Sequence, residues 1–131
     1  MEPGCRLEAG HQRKGARIYA EKCVACHDEN GKHRFGFSPL WGGGKITDIS
    51  AGMKTIENFW PYATTVFDLI RRGMPWTQPR SLTNDEVYAL TAFILAKNRL
   101  IGETDMMNAE TLPQVRMPNR NGFIIRFPDK I

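Results

Sequence analysis

The chain has little cysteine and little histidine, three of each among 131 residues. Three thiols cannot complete a disulfide framework, so the core must be held by packing or by something bound. No segment reaches the roughly 20 apolar residues of a membrane-spanning helix. The N-terminus, Met1-Glu2-Pro3-Gly4, lacks the apolar core of a signal peptide. The formal net charge is +4, yet there is no polybasic run and no basic–aromatic alternation, which excludes a nucleic-acid module. Nucleophile and acid–base constellations are missing too: Asp28, Glu29, Asp85 and Glu86 read as solvated or capping carboxylates. No internal repeat or low-complexity stretch appears.

What is present is concentrated in Cys23-Val24-Ala25-Cys26-His27. The pattern C-x-x-C-H is that of covalent c-type haem attachment. Two thiols add across the haem vinyl groups, and the imidazole that follows falls beneath the iron as proximal ligand. A thioredoxin-type C-x-x-C would need a preceding strand in a βαβ unit. Zinc would need a second ligand pair, and only Cys5, His11 and His33 remain to supply it. One haem c, attached through Cys23 and Cys26 and ligated by His27, is therefore expected. Attachment of haem c normally follows export, so a periplasmic location is expected, with a leader removed. Cys5 is left over, a free or inert thiol or an intermolecular disulfide partner.

The rest of the chain reads as all-α. Residues 1–11 form a polar, flexible lead-in. From Arg13 to Ala25, Ala16, Tyr19, Ala20 and Cys23 recur at helical spacing. Gly15 lies a turn before Tyr19, where it would let another helix approach closely. Asp28 to Gly44 reads as loop. A second helix covers Tyr62 to Arg72, with Val66, Leu69 and Ile70 inward and Gly73 as its C-cap. Thr83-Asn84-Asp85-Glu86 is a capping box with Leu82 and Val87 at the staple positions, opening a third helix to Lys97. Its core candidates are Val87, Leu90, Phe93 and Ile94. Residues 12–98 would make the domain and 99–131 an extended tail wrapped on it, since Pro113, Pro118 and Pro128 oppose regular structure there.

This order resembles a class I cytochrome c, over the span from Gly15 to Lys97. A closer resemblance is carried by Phe59-Trp60-Pro61-Tyr62-Ala63-Thr64-Thr65-Val66-Phe67-Asp68, by Arg71-Arg72-Gly73-Met74-Pro75 and by Ser81-Leu82-Thr83-Asn84-Asp85-Glu86-Val87-Tyr88-Ala89. With Val115-Arg116-Met117-Pro118-Asn119-Arg120-Asn121-Gly122-Phe123, these segments are similar to the cytochrome subunits of bacterial sulfite and sulfane dehydrogenases. The resemblance implies three to five helices around one haem. It places the distal ligand at Met74, where a thioether opposite imidazole raises the potential. Met117 and Met53 are the rivals, while Met106 and Met107 suit surface or core and His11 and His33 read as solvated. The resemblance also implies that the Pro39 carbonyl accepts from His27 and that Leu40 presses on the haem. Trp60 and Tyr62 are the leading donors to the haem propionates, ahead of Trp41, Lys45 and Arg80.

The function implied is electron transfer rather than substrate chemistry. Partners would be redox proteins: a dehydrogenase, other cytochromes or a terminal oxidase. The closer resemblance makes the donor a molybdenum sulfite or sulfane dehydrogenase. A generic respiratory carrier and a haem sensor with a labile sixth ligand are the alternatives.

Overall fold

A computed structural model describes residues 9–36, 39–42 and 54–123. Four helices dominate: α1 (Gln12–Lys22), α2 (Val24–His27), α3 (Ala63–Gly73) and α4 (Asn84–Lys97). Two short strands, β1 (Ala9–Gly10) and β2 (Met107–Asn108), pair antiparallel, and a 3-10 turn covers Leu112–Gln114. Among the described residues, no helix is long and apolar enough to cross a membrane.

The frame is the crossing of α1 over α4. At Gly15 a Cβ would strike the carbonyl of Ala89, lying 2.6 Å from its carbon and 2.9 Å from Cβ of Phe93. Only a residue without a side chain lets the backbones meet this closely. Gly10 repeats the arrangement just upstream, where a Cβ would sit 2.5 Å from Cα of Ala89. Ile18 and Tyr19 are buried on the same face of α1. Ala20, expected on the apolar stripe, is exposed.

α4 is central and buried over most of its length, from Val87 to Leu95. Its start is the capping box: the Glu86 N–H donates to the Thr83 hydroxyl at 3.2 Å, and the Thr83 N–H donates to the Glu86 carboxylate at 2.9 Å. Its end is a Schellman motif. Arg99 adopts φ 59, while the N–H groups of Leu100 and Arg99 reach back to the carbonyls of Leu95 and Ala96, both at 3.0 Å.

α3 buries Ala63, Val66 and Ile70, spaced at three and four. Leu69, read as inward, is 45 % exposed. It stands about 100° round the helix from Ile70, off the buried stripe. Phe67 instead leans on Tyr88 of α4, ring centroids 4.4 Å apart.

The lead-in is not loose where it meets the domain. Ala9 and Gly10 pair with Asn108 and Met107, and the Ala9 N–H donates to the Asp85 carboxylate at 2.9 Å. Beyond α4 the chain runs without long elements as far as Phe123 and lays Met107, Leu112 and Met117 into the core. The apolar run after Phe123 (Ile124, Ile125, Phe127) lies outside the described residues.

Candidate haem site

α1 ends one turn before the motif is complete. Cys23 closes it with an N–H bond to the Tyr19 carbonyl at 2.9 Å, and α2 then starts as a separate turn. The N–H groups of Cys26 and His27 both donate to the Cys23 carbonyl, at 3.2 and 2.8 Å. Positions three and four apart on such a turn share a side, so both thiols and the imidazole are presented together. All three residues are half-buried. Burial, aided by the neighbouring Cys26 and opposed by Lys22, pushes the Cys23 thiol up to about 11.

Burial, and then the nearby His33, lower the His27 pKa and favour the neutral imidazole, the form that binds a metal. The His33 ring stands edge-on to it with centroids 5.1 Å apart, so His33 is not simply solvated. Nδ1 of His27 is buried without a hydrogen-bond partner. A bond to the Pro39 carbonyl is thus not formed. The loop ties itself down differently, through Leu40 N–H to the Gly31 carbonyl at 2.9 Å and Arg34 N–H to the Cys26 carbonyl at 2.8 Å.

The chain leaves the motif through Asp28, in the left-handed region at φ 59. The phenol of Tyr19 holds this exit, donating to the Asp28 carbonyl at 2.6 Å and approaching that of His27 at 3.4 Å. Its ring packs on Phe93 at 5.2 Å and Trp41 at 5.7 Å. Trp41 lies against Gly31, where a Cβ would come within 2.7 Å of the indole. Lys97 caps this aromatic cluster, 5.6 Å from the Phe93 ring and 6.0 Å from Trp41.

Met74 caps α3, its N–H bonded to the Ile70 carbonyl at 3.1 Å, and its side chain borders the core half-buried. Met117 is 4 % exposed and packed in the core, as is Met107, while Met106 lies at the surface. His11 is the exposed N-cap residue of α1. Met53, Lys45 and Cys5 lie outside the described residues.

Sequence reasoning missed the anchor of the segment that carries Trp60. Asn98, fully buried at the end of α4, accepts from the Glu57 N–H at 3.1 Å and donates to the Ile94 carbonyl at 2.7 Å. Thr55 and Asn58 cross-bond one another, and the Thr55 hydroxyl donates to the Gly42 carbonyl at 2.8 Å. The spacing Thr55-x-x-Asn58 is a turn signal that was available; nothing local marks Asn98. Trp60 is half-buried against the core. Tyr62 is exposed, with the Arg120 guanidinium 5.6 Å from its ring centroid. The tail fastens this segment, since the Asn119 amide donates to the Phe59 carbonyl at 2.7 Å and Phe123 meets the Phe59 ring at 5.2 Å. Arg80 is exposed.

The residues fit a haem. Cys23, Val24, Leu40, Trp41, Trp60, Phe67 and Met74 pack on the core while staying partly exposed, apolar side chains of the kind that border a flat apolar group. Beside them stand two thiols, a neutral imidazole with its Nδ1 unpaired, and a soft thioether.

Such a fold and donor set define a small all-α protein built for covalent haem. Residues 12–98 match the cytochrome c family model, and the chain belongs to that family, with the class I cytochrome c fold and a covalently bound haem c. It is similar to a chain of the sulfane dehydrogenase SoxCD from Paracoccus pantotrophus, with 35 % identity and a TM-score of 0.83 over 98 % of this chain and 62 % of that one. It is also 30 % identical over 91 residues to the thiosulfate dehydrogenases of Stutzerimonas stutzeri and Thiomonas intermedia, covering 66 % of this chain. The chain spans only 27 % and 26 % of those two relatives.

Proposed function

We infer that the chain carries one haem c, bound through Cys23 and Cys26 and ligated by His27 and Met74, and works in the periplasm as the electron acceptor of a sulfur-oxidising dehydrogenase. The observation that carries this reading is the Cys23–His27 turn, which presents both thiols beside a half-buried imidazole whose Nδ1 is unpaired, with Met74 half-buried against the same core. When bound, the haem supplies a one-electron couple between ferric and ferrous iron. The chain's own residues do the remainder. Cys23 and Cys26 tether the group. His27, kept neutral by burial, offers an imidazole nitrogen to the metal, while Tyr19 holds the backbone behind it. Met74 offers sulfur from the rigid end of α3, a ligand that favours the reduced state. Leu40, Trp41 and Trp60 exclude water.

The sulfur partner is supported by the likeness to the sulfane dehydrogenase chain, which extends over the tail as well as the domain. The tail's hold on Phe59 joins the two. Met74→Ala should abolish the methionine-to-iron charge-transfer band, and Met117→Ala should retain it. Stopped-flow mixing with a molybdenum sulfite or sulfane dehydrogenase and its substrate should reduce the haem within its turnover time. A band that survives Met74→Ala removes the ligand assignment, and a haem left oxidised by such donors removes the sulfur partner.

A further inference from the structure

We propose that the turn after Met74 is a docking site for an acidic redox protein, with Trp76 as its apolar anchor and Arg71, Arg72 and Arg80 as its charged rim. The proposal deepens the electron-carrier reading and rests on it. Trp76 is 82 % exposed, the most exposed of the large apolar side chains among the described residues. The Gln78 N–H donates to the Pro75 carbonyl at 2.9 Å, closing a turn in which Trp76 is the first corner residue, so its indole is held outward. No ring, hydrogen-bond or cation contact engages it among the described residues. A tryptophan left in water by a rigid turn is a large apolar surface with no role in the core, and tryptophan and arginine are the residues that dominate binding hot spots.

The surroundings specify the partner's charge. Arg71 and Arg72 occupy the last turn of α3, and Arg80 follows the Trp76 turn; all three are exposed. From Leu69 to Asn84 there is no aspartate or glutamate. The flanking carboxylates are engaged: Asp68 with Arg72 at 2.7 Å, Asp85 with the Ala9 N–H, and Glu86 in the capping box. Nε of Arg71 donates to Asn84 at 3.1 Å. Each of these bonds uses one of the five donors of a guanidinium, which leaves both arginines able to take a carboxylate. Arg80 sits at φ 64, in the left-handed region where glycine or asparagine would be cheaper. Arg72 shares its charge with Asp68, while Arg71 and Arg80, five residues before and four residues after the outward indole, have no carboxylate partner among the described residues. Together they complement an acidic surface with an apolar recess. Placed two residues from the haem ligand Met74, such a contact brings the partner next to the redox centre.

The test is electron exchange between the haem-loaded full chain and two reagents: plastocyanin, a copper protein with an acidic patch, and the small cation tris(phenanthroline)cobalt(III). No sulfur donor is involved, so the outcome is independent of the sulfur partner. Wild type should react with plastocyanin faster at about 0.01 M salt than at about 0.15 M, as the screening length contracts from about 30 to about 8 Å. The triple variant Arg71→Gln/Arg72→Gln/Arg80→Gln should lose about tenfold of the low-salt rate and most of its salt dependence. Trp76→Ala should lose about threefold to tenfold at either salt concentration. The methionine band should hold in both variants, and the cobalt rate should hold in Trp76→Ala and hold or rise in the arginine variant, where a cation is repelled less. Plastocyanin rates within twofold of wild type overturn the proposal, as does an equal loss with both reagents, which would mean damage at the haem. Binding to phosphatidylglycerol vesicles that Trp76→Ala abolishes, with plastocyanin rates unchanged, also overturns it and makes the patch a membrane contact. Silence of wild type toward both reagents defeats the electron-carrier reading together with the proposal.

Discussion

Gly15→Ala isolates the contact on which the fold hangs. In a solvent-exposed helix this change would stabilise by about 1 kcal/mol, because alanine is the better helix former. Here the new methyl would meet the Ala89 carbonyl, 2.6 Å from its carbon, and Cβ of Phe93 at 2.9 Å. Restoring carbon–carbon contacts of roughly 3.5 Å requires α1 and α4 to part by on the order of 1 Å, and a gap of that size forfeits a quarter to a half of each contact's attraction. Ile18 and Tyr19, buried on this face of α1, would lose packing against α4 along the crossing. Overpacking of this kind costs about 1–3 kcal/mol and sometimes more. With the propensity gain subtracted, a net loss of about 1 kcal/mol, and at most about 2, is expected, close to a 4–8 °C fall in Tm for a chain of this size. Urea titration of the haem-loaded protein, followed by circular dichroism, measures it. Gly36→Ala is the control: Gly36 has φ 82 and nothing within 4 Å, so only a backbone cost of about 1 kcal/mol applies. If Gly15→Ala unfolds at the wild-type urea concentration or above it, the close crossing is not what fixes these helices.

Three further outcomes follow from the same geometry. Tyr19→Phe keeps the ring among Trp41 and Phe93 but removes the donor to the Asp28 carbonyl. It should cost about 1–2 kcal/mol, read as a lower urea midpoint, and a midpoint equal to wild type would show the bond to be dispensable. Asn98→Leu leaves the Glu57 N–H without its acceptor inside the protein and should cost about 2–3 kcal/mol; faster proteolysis between residues 54 and 60 in the folded protein would localise the damage. The Thr83 backbone and hydroxyl hold the Glu86 carboxyl below its ordinary 4.5. Its contribution is therefore complete above that value and fades as pH falls through the depressed one. Thr83→Ala should accordingly lower stability by about 1 kcal/mol at neutral pH, with a smaller difference from wild type at pH 3.

What could be read from the sequence was whatever is encoded within a few residues. The Thr83–Glu86 capping box is complete in itself and appears in the fold as expected, whereas the helix read through Ala25 stops at Lys22 and the C-x-x-C-H motif forms a turn of its own. Gly15 announced that something would come close; that the something is the backbone at Ala89 depends on an element 74 residues away. Leu69 was misplaced because an apolar residue beside Ile70 fits either side of a stripe, and only α4, by covering Val66 and Ile70, decides which. Ala9–Gly10 is a strand only because Met107–Asn108 lies beside it, and two residues are too short for any period to show. Asn98 merely follows the last residue read as helical, Lys97. Its burial, and with it the anchoring of the Trp60 segment, comes from a loop 41 residues earlier.

These anchors share a logic that bears on how the site works. The groups proposed to meet the haem sit at ends of helices or on loops, and two of those loops are tied to the α1–α4 frame by hydrogen bonds independent of the haem. Tyr19 of α1 holds the exit of the Cys23–His27 turn, and Asn98 at the end of α4 holds the Glu57 backbone. α3, packed on α4 through Phe67 and Tyr88, delivers Met74. An electron carrier gains from such ties, because a change of iron charge then meets ligands that cannot move far, and little reorganisation accompanies transfer. On this argument the two hydrogen-bond variants should differ in what they disturb. Tyr19→Phe loosens the His27 side and Asn98→Leu the Trp60 side, while α3 is tied by neither bond. Both should therefore keep the methionine-to-iron band at neutral pH. If Asn98→Leu abolished that band, Met74 would depend on the loop before α3, and the independence of the ties would be refuted.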